Sequence, residues 1–158
     1  VPIVTHSAVV DAAPGALWRL LSDLESWPRW MGAPYASESV LITSQGATAA
    51  GTEFVMKGRL KARLFARVLD WLPEQRLAYE IHRSEYLSDR LFFQRAVVSV
   101  VLAPEGDRRT RITCTHELTG RGLLGSIYAA TLMRPLMQTN VQRIVDGLRA
   151  ATLPSRSS

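Results

Sequence analysis

The chain has 158 residues, 47% of them hydrophobic and 21% charged, with a formal net charge of +5. That balance implies one soluble globular domain and excludes a disordered chain. A single cysteine, Cys114, excludes an internal disulfide and a Cys-rich zinc site. No apolar run approaches the roughly 20 residues of a membrane-spanning helix.

Residues 3–11 are β-branched and short, and read as a strand. Asp11 is an N-cap candidate, with Pro14 in the first turn of the helix that follows. Leu17, Leu20, Leu21 and Leu24 then keep helical spacing. Pro28 ends that helix among large rings, Trp27, Trp30 and Tyr35, where a second short helix or turn is expected. Strands follow at 39–43 and 52–57, separated by the small-residue turn 46–51. Over 60–71 the pattern alternates, with Leu60, Ala62, Leu64, Ala66 and Val68 on one face and Lys61, Arg63, Phe65 and Arg67 on the other. Leu77, Tyr79 and Ile81 continue one face of the next strand. Residues 84–90 are polar and read as a loop. The run 91–103 is a long strand, 104–109 its hairpin turn, and 110–118 alternates again, with Ile112, Cys114, His116 and Leu118 on one face. The stretch 123–151 is helical in pattern, about 40 Å long at about 1.5 Å per residue, with Pro135 expected to kink it.

One strand, two short helices, six strands and a long helix predict an α+β fold: a curved, seven-stranded antiparallel sheet wrapped around a long C-terminal helix. The expected domain is 1–152, with 153–158 a disordered tail. A long kinked helix over a curved sheet leaves space between them, so a ligand cavity is expected.

Five local patterns in this order resemble the START/Bet v 1-like (SRPBCC) superfamily with its helix-grip fold. They are closest to the bacterial polyketide cyclase/dehydrase-like and coenzyme Q-binding-like group. The patterns are VVDAAPGALWRLLSDLESWPRW (9–30), Gly51-Thr52 before a strand, VLDWLPEQRLAYEI (68–81), LAPEGDRRTRITCTHEL (102–118) and LLGSIYAATLMRPLMQTNVQRIVDGLRA (123–150). The resemblance implies a fold, and a group that includes carriers, cyclases and hydrolases. It does not single out one activity.

Several chemical motifs fail on their context. Gly120-Arg121-Gly122-Leu123-Leu124-Gly125 fits G-x-G-x-x-G, but no second parallel strand with an acidic residue follows, so NAD is not expected. The glycines instead suit a strand-to-helix turn in close contact with the sheet. His116-Glu117 lacks the second histidine of a zinc protease. His6, His82 and His116 are scattered, so no metal site and no cofactor are expected. Cys114 and His116 lie about 7 Å apart along one strand face, too far for a nucleophile–base pair.

The candidate cavity residues follow from alternation. His116 falls on the covered face, either as an acid, base or ligand-orienting group or as a satisfied core histidine. Tyr79 and Gln94 are covered-face candidates on neighbouring strands. Tyr128 and Thr131 lie about one turn apart on the long helix. Phe54, Met56, Leu132 and Met133 supply apolar wall, with Pro135 at the kink. Trp27, Trp30 and Tyr35 either form the pocket mouth or seal the core. Segment 84–90 is a candidate gate. Arginine carries the charge, 17 Arg against 2 Lys, which favours acidic partners but is also ordinary solubility. Lys57, Arg59, Lys61, Arg63 and Arg67, with Arg108, Arg109 and Arg111, mark a basic stripe suited to an acidic carrier protein or an anionic membrane surface. With only Phe65 interleaved, it does not suit nucleic acid.

Three functions follow. The first is binding of a hydrophobic or aromatic small molecule such as a lipid, an isoprenoid quinone or a polyketide. The second is an enzyme of the cyclase/dehydrase kind, in which His116, Tyr79 or Tyr128 moves protons in an aldol cyclisation or dehydration. The third is an interaction or stress-response protein acting through the basic face. No charged-then-apolar leader opens the chain, so a cytoplasmic protein is expected. The sequence starts at Val1, and residues before it, the initiator Met included, are expected to be missing.

Overall fold

The computed structural model describes residues 1–31, 39–58 and 61–153. Tyr35, Arg59, Leu60 and tail residues 154–158 lie outside this set. Seven strands form one antiparallel sheet: β1 (Ile3–Val10), β2 (Ser39–Ile42), β3 (Glu53–Lys57), β4 (Arg63–Leu72), β5 (Arg76–Ser84), β6 (Phe93–Pro104) and β7 (Thr110–Gly120). Their spatial order is β1-β7-β6-β5-β4-β3-β2. The first two strands thus sit at opposite edges, and the helices α1 (Pro14–Ser22) and α2 (Trp27–Trp30), with a 3₁₀ turn at Leu24–Ser26 between them, lie in the connection that spans the sheet. This is the helix-grip arrangement expected from the sequence.

Period-two burial sets the concave face. Thr110, Ile112, Cys114, His116 and Leu118 are buried on β7, Ala96, Val98, Val100 and Leu102 on β6, and Leu64, Ala66 and Val68 on β4. The C-terminal helix α5 (Arg134–Thr152) covers this face with Met137, Asn140, Val141, Ile144, Val145 and Leu148, a stripe at helical spacing.

Four expectations need correction. The long helix is not kinked but split into α4 (Gly122–Ala130) and α5. Pro135 has no amide hydrogen and its ring excludes a helical carbonyl at Thr131, so α4 ends at Ala130 and the proline sits in the first turn of α5. The segment 84–90 is not a plain loop, since β5 runs to Ser84 and a short helix α3 (Leu87–Phe92) follows. Gln94 is not on the covered face. It is the extra residue of a β-bulge between the pairs Phe93–Gly120 and Arg95–Thr119, which leaves both Gln94 and Arg95 exposed. Asp11 does not cap α1; Ala13 holds that position, and Asp11 pairs with Arg109 at 3.3 Å.

Glycine sets two close approaches. A Cβ on Gly120 or Gly125 would overlap backbone of the other residue, so the G-x-G-x-x-G pattern lets α4 fold directly onto the end of β7. A Cβ on Gly147 of α5 would overlap the Trp30 carbonyl oxygen. Gly147→Ala therefore reverses the usual helix preference. Propensity alone would stabilise by up to about 1 kcal/mol, whereas overpacking costs about 1–3 kcal/mol. A net loss of stability, seen as a lower Tm in calorimetry, is expected; an unchanged or raised Tm would contradict the contact.

Candidate functional site

Two layers lie between the sheet and α5. The inner layer is aromatic. Trp27 stands edge-on to Phe54 with ring centroids 5.6 Å apart, and Tyr79 lies 5.3 Å from Trp27 and 5.6 Å from Phe54. The Trp27 indole N–H donates to the Leu21 carbonyl at 3.0 Å, which ties this ring to the end of α1. Trp27 thus seals the core rather than forming a mouth. Trp30 packs on Gly147 of α5, and its indole N–H is buried without a hydrogen-bond partner among the described residues.

His116 belongs to the same layer. Its Nδ1 lies 3.3 Å from Asn140 Nδ2 on α5. An amide nitrogen can only donate, so Nδ1 accepts and the imidazole proton sits on Nε2. Burial holds the pKa down to about 4. His116 is therefore neutral at pH 7 and is no proton donor there. It is 1% exposed, so a ligand reaches it only if neighbouring side chains move. Burial likewise pushes the Cys114 thiol up to about 12, which leaves it unreactive.

The outer layer is a cleft of about 180 Å³ where α3, α4 and the start of α5 meet β4. Leu64, Met133 and Leu136 supply apolar wall, and Tyr86, Ser88, Asp89 and Tyr128 supply polar groups. The Ser84 hydroxyl donates to Asp89 Oδ2 at 2.5 Å. The Tyr128 hydroxyl donates to Ser88 Oγ at 3.3 Å, and its ring lies 5.1 Å from that of Phe92. Burial raises the Asp89 pKa, against the opposing hydrogen bond from Ser84 and the lowering influence of the nearby Tyr128 hydroxyl. Burial and the nearby Asp89 charge raise that of Tyr86. The Tyr86 hydroxyl lies over Gly58 at the turn after β3, where a Cβ would collide with it.

The structure thus brings Phe54, Tyr79, Trp27 and His116 together inside the core, with Met56 buried on β3, and puts Tyr128 on the cleft. It does not bring in the exposed Thr131, Leu132 and Pro135. The Thr131 hydroxyl donates back to the Ile127 carbonyl at 2.6 Å, and Leu132 sits at the split between the two helices with 71% exposure. Asn140, Tyr86 and Asp89 were not singled out from the sequence. Asn140 was findable, because it lies in phase with Met137, Val141 and Ile144 on the buried stripe of α5. Asp89 was not, since its partial burial comes from α3 folding back over the cleft.

Among the described residues of the basic stripe, Arg63, Arg67, Arg109 and Arg111 are ion-paired, while Lys57, Lys61 and Arg108 are not. Arg63 pairs with Glu85 at 2.6 Å, Arg67 with Glu53 at 3.0 Å and Glu80 at 3.7 Å, and Arg111 with Glu105 at 2.5 Å. No group of three or more His, Cys, Asp or Glu side chains suited to a metal occurs among the described residues. No helix there is long and apolar enough to cross a membrane.

Solved structures share this architecture. A protein from Thermus thermophilus superposes with a TM-score of 0.70 at 23% identity, covering 96% of this chain and 100% of its own. Norcoclaurine synthase from Thalictrum flavum, in complex with dopamine and hydroxybenzaldehyde, gives a TM-score of 0.71 at 17% identity, covering 99% of this chain and 89% of its own. The ZhuI aromatase/cyclase of a Streptomyces species gives 0.72 at 13% identity, covering 99% of both chains. At these identities the likeness shows the fold. No curated protein matches the sequence. The model of the polyketide cyclase / dehydrase and lipid transport family matches residues 2–152, and the chain belongs to that family.

His116 gives a pH test. Its folded pKa of about 4 lies below the ordinary value of 6.5, so the unfolded chain binds the proton more readily. The stability due to the neutral imidazole is complete above about pH 6.5 and is lost as pH falls toward 4, by about 3 kcal/mol in all. Urea denaturation of the wild type is expected to show this decline. His116→Gln is expected to flatten it; an equal decline in both proteins would overturn the assignment.

Proposed function

As a member of this family, the chain, we propose, binds a hydrophobic or aromatic small molecule between the concave sheet face and α5, with the Tyr86–Asp89–Tyr128 cleft as the entrance. The observation that carries this reading is the convergence of apolar wall and hydroxyl and carboxyl groups at the cleft. A pocket of this composition orients an apolar ligand by one polar end. Size narrows the class. A cavity of about 150 Å³ accepts benzene, so the cleft of about 180 Å³ accommodates one ring. A lipid, isoprenoid quinone or polyketide would extend inward as Met133, Met137 and Met56 repack, and methionine is the side chain best suited to that. The complex of norcoclaurine synthase with two ring-sized molecules supports a ligand of this size.

A second reading is a cyclase or dehydrase, and one observation favours it. Asp89 has its carboxyl pKa raised by burial and accepts a hydrogen bond from Ser84, with the Tyr128 hydroxyl on the same cleft. In that reading Asp89 removes a proton beside a ligand carbonyl, and the Tyr128 or Tyr86 hydroxyl donates to the carbonyl oxygen as charge develops. His116, neutral and sealed, is less suited to the acid role than these groups. Action through the basic sheet face is disfavoured by its ion pairs.

Organic extraction of the purified protein with mass spectrometry, and thermal shift with a panel of phenols, quinones and fatty acids, would test the first reading. At least one compound is expected to raise the Tm. Met133→Trp, which fills the cleft, is expected to abolish the shift; an undiminished shift in that variant would place the ligand elsewhere. Against a poly-β-ketone substrate, Asp89→Asn is expected to keep binding and lower turnover by roughly 100-fold or more. Equal turnover would remove Asp89 from the chemistry.

A further inference from the structure

The helices α3 and α4 present an apolar surface that the fold leaves uncovered. Leu87 and Leu91 lie one turn apart on α3, and Leu123 and Ile127 one turn apart on α4; with Leu124 they are 52% to 78% exposed. The two helices form one unit. The Phe92 and Tyr128 rings pack together, the Tyr128 hydroxyl reaches Ser88, and the Arg121 amide donates to the Phe92 carbonyl at 2.8 Å. On α4, Gly125 and Ala129 face the body of the protein. Leu123 and Ile127 therefore fall on the opposite side of the helix. On α3, Ser88 and Phe92 meet α4, which leaves Leu87 and Leu91 on the adjoining outer edge. Clusters of exposed aliphatic side chains of this kind on a monomer surface mark interaction sites.

Three arginines flank this surface, while the carboxylates Glu85 and Asp89 lie on its cleft side, partly buried. Arg90, Arg121 and Arg134 are exposed, and among the described residues none of them makes an ion pair. That contrasts with the paired arginines of the outer sheet face. Arg90 and Arg121 also line an open polar cleft of about 340 Å³ with Arg83, His82 and two carboxylates: Glu85, which Arg63 engages, and Asp89, which accepts from Ser84.

We propose that the α3–α4 face docks on an anionic lipid bilayer, with its leucines and isoleucine in the interfacial layer and its arginines at the headgroups. Aliphatic side chains on two short helices can sink the roughly 5–10 Å typical of interfacial helices, with cationic side chains holding anionic lipid beside them. A second copy of the chain fits less well, because a two-fold contact would bring like-charged arginines toward one another. A protein partner would more usually meet aromatic anchors, and here Phe92 and Tyr128 pack on each other instead. The docked face adjoins the cleft, since Tyr128 and Ser88 belong to both. The inference goes beyond ligand binding and does not require it.

Cosedimentation of the full chain with phosphatidylcholine vesicles, with and without phosphatidylglycerol, tests the proposal. Binding is expected only with phosphatidylglycerol, and is expected to weaken as the Debye length falls from about 8 Å at 0.15 M salt to about 3 Å at 1 M. The Leu123→Glu/Ile127→Glu variant is expected to lose at least roughly tenfold in vesicle affinity. Arg90→Ala/Arg134→Ala is expected to lose roughly fivefold per arginine, which keeps the test decisive if the glutamate variant folds poorly. Absence of binding, or equal binding by the variants, overturns the proposal. A wild-type dimer in sedimentation velocity that the glutamate variant converts to monomer overturns it in favour of a second copy. Thermal shift by small ligands in vesicle-free buffer reads the pocket separately, so either idea can fail alone.

Discussion

Packing α5 onto the concave sheet buries one polar pair, His116 and Asn140, within an otherwise largely apolar stripe. Leaving either partner unsatisfied would cost about 1–3 kcal/mol, so the pair favours one axial position of α5 along β7. Much else follows from that position. It seats Gly147 on Trp30 at one end of the helix and sets Met133 and Leu136 against Leu64 at the other. The cleft is therefore not an independent feature. Its apolar wall belongs to the same helix that the histidine–asparagine pair and the buried stripe seat on the sheet.

Charge is divided between the two outer surfaces. On the sheet, several arginines face carboxylates on neighbouring strands, as Arg67 does with Glu53 and Glu80, which offsets part of that face's charge. Exposed pairs of this kind add little stability. Their effect is to leave the arginines around α3 and α4 as prominent unpaired positive charge. Part of the net charge of +5 is therefore carried at the cleft end by Arg90, Arg121 and Arg134.

The sheet was legible in the sequence because its alternation is strict. Ile112, Cys114, His116 and Leu118 could only share a face, and all four are buried. The family patterns supplied the order of elements and the covering helix. Legibility failed where a local event overrode periodicity. The bulge at Gln94 turned a covered position outward, and Pro135 ended α4 a full turn upstream of itself. The helical pattern of 123–151 hid this second change, because apolar residues on an outward-facing helix look like core. Leu132 was read as cavity wall for that reason. The polar centre of the cleft was legible only in pieces, Tyr128 as a candidate and 84–90 as a gate: Asp89, Tyr86 and Tyr128 are brought together by the fold of α3 over α4, and no spacing in the chain encodes their proximity.

The glycine pair at the end of β7 has a consequence for how the fold can diversify. Gly120 and Gly125 are in such close contact that one added methyl group at either position would force α4 away from the strand. Tyr128 rides on α4 and is coupled to α3 through Phe92 and Ser88, so both helices would shift with it. A substitution away from the lining side chains would thereby alter the cleft between α3, α4 and α5. The shape of the cleft is thus open to mechanical adjustment at the helix hinge, while its lining residues stay unchanged.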